Sequence, residues 1–126
     1  MGRASGDKFM SSHHYEQMTP VIRETIYSVK FYMENNIGKK VKKNDLCELA
    51  SMDYSRLNYY FVKIIGEDML EYLFKIRVAK ARELIVMGKH YHKIYSLVGF
   101  ASNDELIRSF EKFERMTPRD YAEIFN

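Results

Sequence analysis

The chain has 126 residues, 46% apolar and 14% aromatic, with one cysteine and a formal net charge of +3. That is enough apolar side chain for one cored domain or two very small ones, and it excludes the composition of a disordered protein. No apolar run approaches the ~20 residues that span a bilayer or marks the start of a signal peptide, and the lone Cys47 excludes an internal disulfide and suits a reducing compartment, so a cytoplasmic protein is expected.

Residues 1–17, MGRASGDKFMSSHHYEQ, are Gly/Ser-rich without periodicity and read as a disordered tail or a linker ahead of a domain over 18–126. From Thr19 onward the pattern is helical throughout, with no β-alternation. Thr19-Pro20 is an N-cap followed by proline at the first helical position. Ile22, Ile26, Val29 and Met33 then line one helix face, which Asn35, Asn36 and Gly38 end. A short helix over about 44–50 turns Leu46, Cys47, Leu49 and Ala50 inward. Ser51-Met52 breaks it, Asp53 caps a third helix over 54–65, and Gly66 stops that one.

Asp68 and Glu71 form a capping box that opens the longest helix, about 69–87, ended by Gly88. Its apolar side is Leu70, Leu73, Phe74, Ile76, Ala81, Leu84 and Ile85. A short helix around 92–98 runs into Gly99-Phe100. Ser102 and Glu105 make another capping box, opening a helix to about 115, and Thr117-Pro118 caps a last one ending at Phe125.

One arrangement occurs twice. A short helix, a tight turn and an amphipathic second helix span 44–65 and again 92–115. That is the helix-turn-helix, in which the first helix braces and the second can enter a major groove. Such a unit needs a small residue where its helices cross and another in the turn. Cys47 and Ser51 fit in the first unit; in the second, Gly99 fits the turn but Tyr95 falls at the crossing. Charge is uneven. Residues 37–63 carry six Lys/Arg (Lys39, Lys40, Lys42, Lys43, Arg56, Lys63) against three acids, whereas 99–126 carry four against six. A lysine cluster is the footprint of a phosphate-binding surface or simply a solvated face.

In this order the segments resemble the AraC/XylS-type DNA-binding domain over about residues 20–122. LCELASMDYSRLNYYF resembles its first helix-turn-helix, with Asp53 where serine commonly caps. GEDMLEYLFKIRVAKARELI is similar to its linker helix, and KIYSLVGFASNDELIRSFEKFERMTPRDY to its second unit and C-terminal signature. The resemblance implies an all-α fold of seven helices, with two helix-turn-helix subdomains (about 20–66 and 90–122) joined by a long linker helix (about 68–87). It also implies a bacterial transcription regulator that binds double-stranded DNA and recruits RNA polymerase. By position it assigns groove contacts to Ser55, Arg56, Asn58, Tyr59 and Lys63, with Lys42, Lys43 and Lys63 on phosphates. Asn suits adenine, Arg suits guanine, Ser reads either, and an aromatic edge can meet a thymine methyl. In the second unit Asn103, Asp104, Ile107 and Arg108 would face the groove, with Glu105 beside them. Arg77 on the linker helix is expected to be structural.

The second unit departs from the family pattern at Glu111, where lysine is frequent, at Tyr95, and at Ala122, where the signature has arginine. Asp104 and Glu105 stand in the first turn of a capped helix, where carboxylates favour the positive dipole end. Three readings of them stay open: capping, acceptance from cytosine N4, and a unit that no longer binds DNA. The charge split places most DNA affinity in the first unit. The competing reading is a protein-interaction module with a degenerate second unit, binding another regulator or polymerase.

No enzyme is expected. Ser/His/Asp and Cys/His constellations and Gly-rich phosphate loops are absent from the sequence, and Cys47 is better explained as a small residue at a helix crossing than as a nucleophile. His13-His14 and His90/His92 lack a third ligand at metal spacing, so no metal or cofactor is expected.

Overall fold

The computed structural model describes residues 18–125, so the tail expected at 1–17 lies outside them. The described residues form seven helices and no strand: α1 Pro20–Glu34, α2 Lys43–Ala50, α3 Tyr54–Ile65, α4 Met69–Val86, α5 Tyr91–Leu97, α6 Asn103–Glu114 and α7 Pro118–Phe125. Several boundaries have a local cause. Thr19 Oγ1 accepts from the Ile22 amide at 3.2 Å, and Asp53 accepts from the Arg56 amide at 2.8 Å. Gly66 ends α3 at φ +93° and donates to the Val62 carbonyl. Thr117 Oγ1 accepts from the Asp120 amide at 3.0 Å. Such side-chain caps hold otherwise orphaned backbone amides, each worth about 1 kcal/mol. One cap was not legible in the sequence: His90 Nδ1 accepts from the His92 amide at 3.3 Å and starts α5. Ser51 makes the α2–α3 break by taking φ +54° without being glycine.

The helices fall into two units. The first comprises the described residues 18–31 with Lys43–Met69; the second comprises Tyr32–Lys42 and residues from Leu70 onward. In the first, α2 packs on α3, and Ile26, Val29, Leu46, Ala50, Leu57, Tyr60, Phe61 and Met69 are buried. Leu49, expected inward, is 47% exposed, and Cys47 is only half-buried. The inward arc of an eight-residue helix is narrow, and Leu46 and Ala50, four apart, fill it.

In the second unit α5 packs on α6 and α7, and α6 on α7. Val78, Ala81, Ile85, Ile94, Val98, Phe100, Leu106 and Phe110 form one continuous core. Burying side chains of this kind contributes roughly 1.5–3 kcal/mol each for the larger ones. On α4 the buried stripe is Leu73, Arg77, Ala81 and Ile85, four residues apart, with Val78 beside it. Leu70, Phe74, Ile76 and Leu84 flank it half-buried, so the true core face includes an arginine and is rotated slightly from the all-apolar reading.

Candidate nucleic-acid interface

In the first unit, α3 carries the expected reading face. Ser55, Tyr59 and Lys63 recur every four residues and share one side of the helix. Ser55 and Lys63 are exposed and Tyr59 is half-buried. Tyr59 meets the buried Tyr60 edge-on, with ring centroids 5.5 Å apart at 75°, and Lys63 Nζ lies 5.6 Å from the Tyr59 ring. Arg56 is half-buried, its guanidinium 5.8 Å from the Tyr60 ring. Lys43, exposed at the start of α2, places Nζ 4.8 Å from the Tyr54 ring. The tyrosines therefore divide as their number requires: Tyr60 is core at 1% exposure, while Tyr54 and Tyr59 are half-buried, each with a lysine near its ring. Burial pushes the Tyr54 hydroxyl up, with Asp68 and Cys47 adding to the shift. Burial likewise raises the Cys47 thiol, partly offset by Lys43, so Cys47 stays protonated, in keeping with a packing role.

Asn58, placed by position among the groove contacts, is half-buried, with Nδ2 donating to Asp68 Oδ1 at 3.0 Å and Oδ1 accepting from the Met69 amide at 2.8 Å. Both halves of the amide are thus engaged at the turn into α4.

In the second unit, Ser102 Oγ accepts from the Glu105 amide at 3.1 Å, as a capping box requires. The return bond is shifted by one residue, since Glu105 Oε1 accepts from the Ala101 amide at 2.9 Å rather than from Ser102. Glu114 pairs with Arg82 at 2.9 Å. Two of the carboxylates on α6 thus have structural partners, and Asp104 and Glu111 are exposed. Arg108 is exposed, one turn from Asp104. Asn103 and Ile107, both half-buried, line a hollow of about 260 Å³ together with His92, Thr117, Pro118 and Arg119. Asn103 Oδ1 is buried there and has no hydrogen-bond partner. Nothing in the spacing along the chain linked His92 and Arg119 to Asn103; packing of α5 and α7 on α6 brings them together.

Arg77 is 4% exposed. Its Nη2 donates to the Val41 carbonyl at 3.1 Å, and its guanidinium carbon lies 5.8 and 5.7 Å from the Phe74 and Phe100 ring centroids. Burial lowers its pKa, and Glu105 works against that shift. Gly99, at φ +90°, sits where a Cβ would come within 2.4 Å of the Ile37 carbonyl and 2.7 Å of the Lys39 carbonyl. Only glycine fits that turn.

Lys39, Lys40 and Lys42 precede α2 in sequence, but their segment packs with the second unit, and counted by unit the charge differs from that counted along the chain. The second unit has thirteen Lys/Arg against nine Asp/Glu, net +4. The described part of the first has five against six, net −1.

Among the described residues no helix is long and apolar enough to cross a membrane, and no group of three His, Cys, Asp or Glu is placed to hold a metal.

Two bracing-plus-amphipathic helix pairs, each with a capped second helix and a tight turn, define a tandem helix-turn-helix protein. A helix-turn-helix domain family model matches residues 46–124. The chain belongs to the AraC-type helix-turn-helix family, whose members are DNA-binding transcription regulators. No curated protein sequence matches it significantly. Among solved structures, it resembles the C-terminal domain of the two-component response regulator yesN from Fusobacterium nucleatum, with 23% identity, TM-score 0.73, and 79% of this chain and 98% of that one covered. The DNA-binding domain of the global transcriptional factor AdpA, solved in complex with a target DNA, is 19% identical with TM-score 0.75, covering 80% of this chain and 92% of that one. The C-terminal domain of the response regulator AraT from Geobacillus stearothermophilus is 20% identical with TM-score 0.72, covering 86% and 88%. At these identities the likeness is one of fold.

Proposed function

We propose that this chain binds double-stranded DNA sequence-specifically through α3 and α6, regulating transcription with RNA polymerase as its protein partner. The observation that carries this reading is the face of α3, where Ser55, Tyr59 and Lys63 stand in line with Arg56 beside them, while Lys43 lies over Tyr54 at the start of the helix. Arg56 and Ser55 supply base-edge donors and acceptors, Tyr59 an apolar edge for a thymine methyl, and Lys43 and Lys63 point charges for phosphates, while Lys42, which packs with the second unit, serves phosphates there. In the second unit Asn103 and Arg108 are the corresponding readers on α6. Asn58, bonded to Asp68 and to the Met69 amide, acts as a positioning residue at the turn into α4. The second unit carries the larger positive charge, so both units contribute to affinity.

The test is selection of a preferred operator from a random duplex library, followed by the same selection with Ser55→Ala, Arg56→Ala and Tyr59→Ala. Each variant is expected to relax the preferred base at one or two positions, a loss of about 1–3 kcal/mol per good contact. An identical motif from all three would remove α3 as the reader.

A further inference from the structure

The second unit carries an element that its own helices do not supply. The connection between α1 and α2, residues 35–42, holds Lys39, Lys40 and Lys42, all exposed. Its backbone is fixed against the turn that feeds α6. Gly99 approaches the carbonyls of Ile37 and Lys39 so closely that no Cβ fits. Gly38 is also close, since a Cβ there would lie 3.2 Å from the Leu97 carbonyl. Arg77 holds the Val41 carbonyl at 3.1 Å, and the Ile37 side chain packs on the second unit's core. Four separate contacts thus seat this lysine-bearing connection in the second unit, two of them at the end of α5 and the turn that follows it.

We propose, resting on the DNA-binding reading above, that Lys39, Lys40 and Lys42 are the phosphate-binding edge of the second helix-turn-helix, so that α6 enters a groove despite its carboxylates. Residues 99–126 alone carry a net charge of −2, and the three lysines reverse that sign locally. Their charges lie in the segment that touches the turn before Ser102, and a field reaches about 8–10 Å at ordinary salt before it is screened. Glu105 and Glu114 are meanwhile held by Ala101 and Arg82. The close glycine contacts serve to keep the lysines in place: phosphate contacts give register and affinity only when their donors are fixed to the unit that reads.

The test uses the full chain, a duplex carrying the selected operator, and hydroxyl-radical footprinting with binding measured over a series of salt concentrations. Lys39→Ala/Lys40→Ala is compared with Arg108→Ala on α6 and Arg56→Ala on α3, and circular dichroism confirms that each variant is folded. The lysine variant is expected to flatten the slope of log K against log salt by about 2, at roughly 0.9 per phosphate lost. It should also weaken protection in the same half of the footprint as Arg108→Ala. An unchanged slope, or protection lost in the half that Arg56→Ala affects, would overturn the proposal while leaving DNA binding intact. A wild-type chain that gives no footprint at any salt would overturn both.

Discussion

Asn58 and Asp68 are joined side chain to side chain, Nδ2 to Oδ1 at 3.0 Å, across the turn between α3 and α4. With its other arm Asn58 takes the Met69 amide at 2.8 Å, the first amide of α4. One side chain on the candidate recognition helix therefore satisfies two groups at the start of the next helix. Removing it leaves a buried-side amide and a carboxylate to find other partners, at a cost of about 1–3 kcal/mol.

Asn58→Ala should accordingly lower stability by that amount in urea denaturation and weaken binding by a similar factor on every operator variant. A variant with wild-type stability and an altered base preference at one position would restore Asn58 as a base reader.

Gly99→Ala should be among the most damaging small substitutions in the chain. The added methyl meets two backbone carbonyls at 2.4 and 2.7 Å and sits at a φ of +90°. Strain at a left-handed position alone costs of order 1–3 kcal/mol, and relieving the clash displaces the lysine-bearing connection as well. Arg77→Ala should lose about 2 kcal/mol through the orphaned Val41 carbonyl and the lost packing between Phe74 and Phe100. Melting temperatures of the two variants check both expectations; either one melting with the wild type contradicts the packing described.

Much of this was legible in the sequence because it depends on near neighbours. Asp53 and Gly66 mark both ends of α3, and Ser102 marks the start of α6, since caps act over three or four residues. Arg77 was recognisable as structural, though not the carbonyl it holds. What was not legible depends on contacts far apart in the chain. The bonds of Asn58 could not be read from its surroundings in sequence because its partners are ten and eleven residues on. The lysines changed unit because Lys39 abuts Gly99, sixty residues away. Charge counted along a sequence assigns each residue to its neighbours in the chain, and here the fold assigns three of them elsewhere.

Glu105→Gln retains an oxygen that can accept from the Ala101 amide but removes the charge near the α6 N-terminus. The expected result is a small stability loss, within about 0.3–1 kcal/mol, together with tighter nonspecific DNA binding at low salt. Glu105→Ala also loses the bond to Ala101 and should be less stable than Gln. If Gln instead changes the preferred base at one operator position, Glu105 reads cytosine rather than caps.

Cys47 should react slowly with thiol reagents. Its folded pKa is raised by burial, so less thiolate is present at neutral pH than for a free cysteine, and the thiolate is the nucleophile. Reaction with a chromogenic disulfide at pH 7.5 (about one unit below the ordinary cysteine pKa) should be slower in the native chain than in urea. A native rate equal to or above the unfolded rate contradicts the environment described for Cys47.

Recognition of duplex DNA by sequence is tested most directly by the affinity of this chain for the selected operator and for a scrambled duplex of equal length and composition, over a salt series. Log K is expected to fall as log salt rises for both duplexes, with the operator bound about 10³-fold or more tightly at physiological salt. Equal affinity for the two duplexes at every salt concentration, or no binding even at low salt, would contradict it.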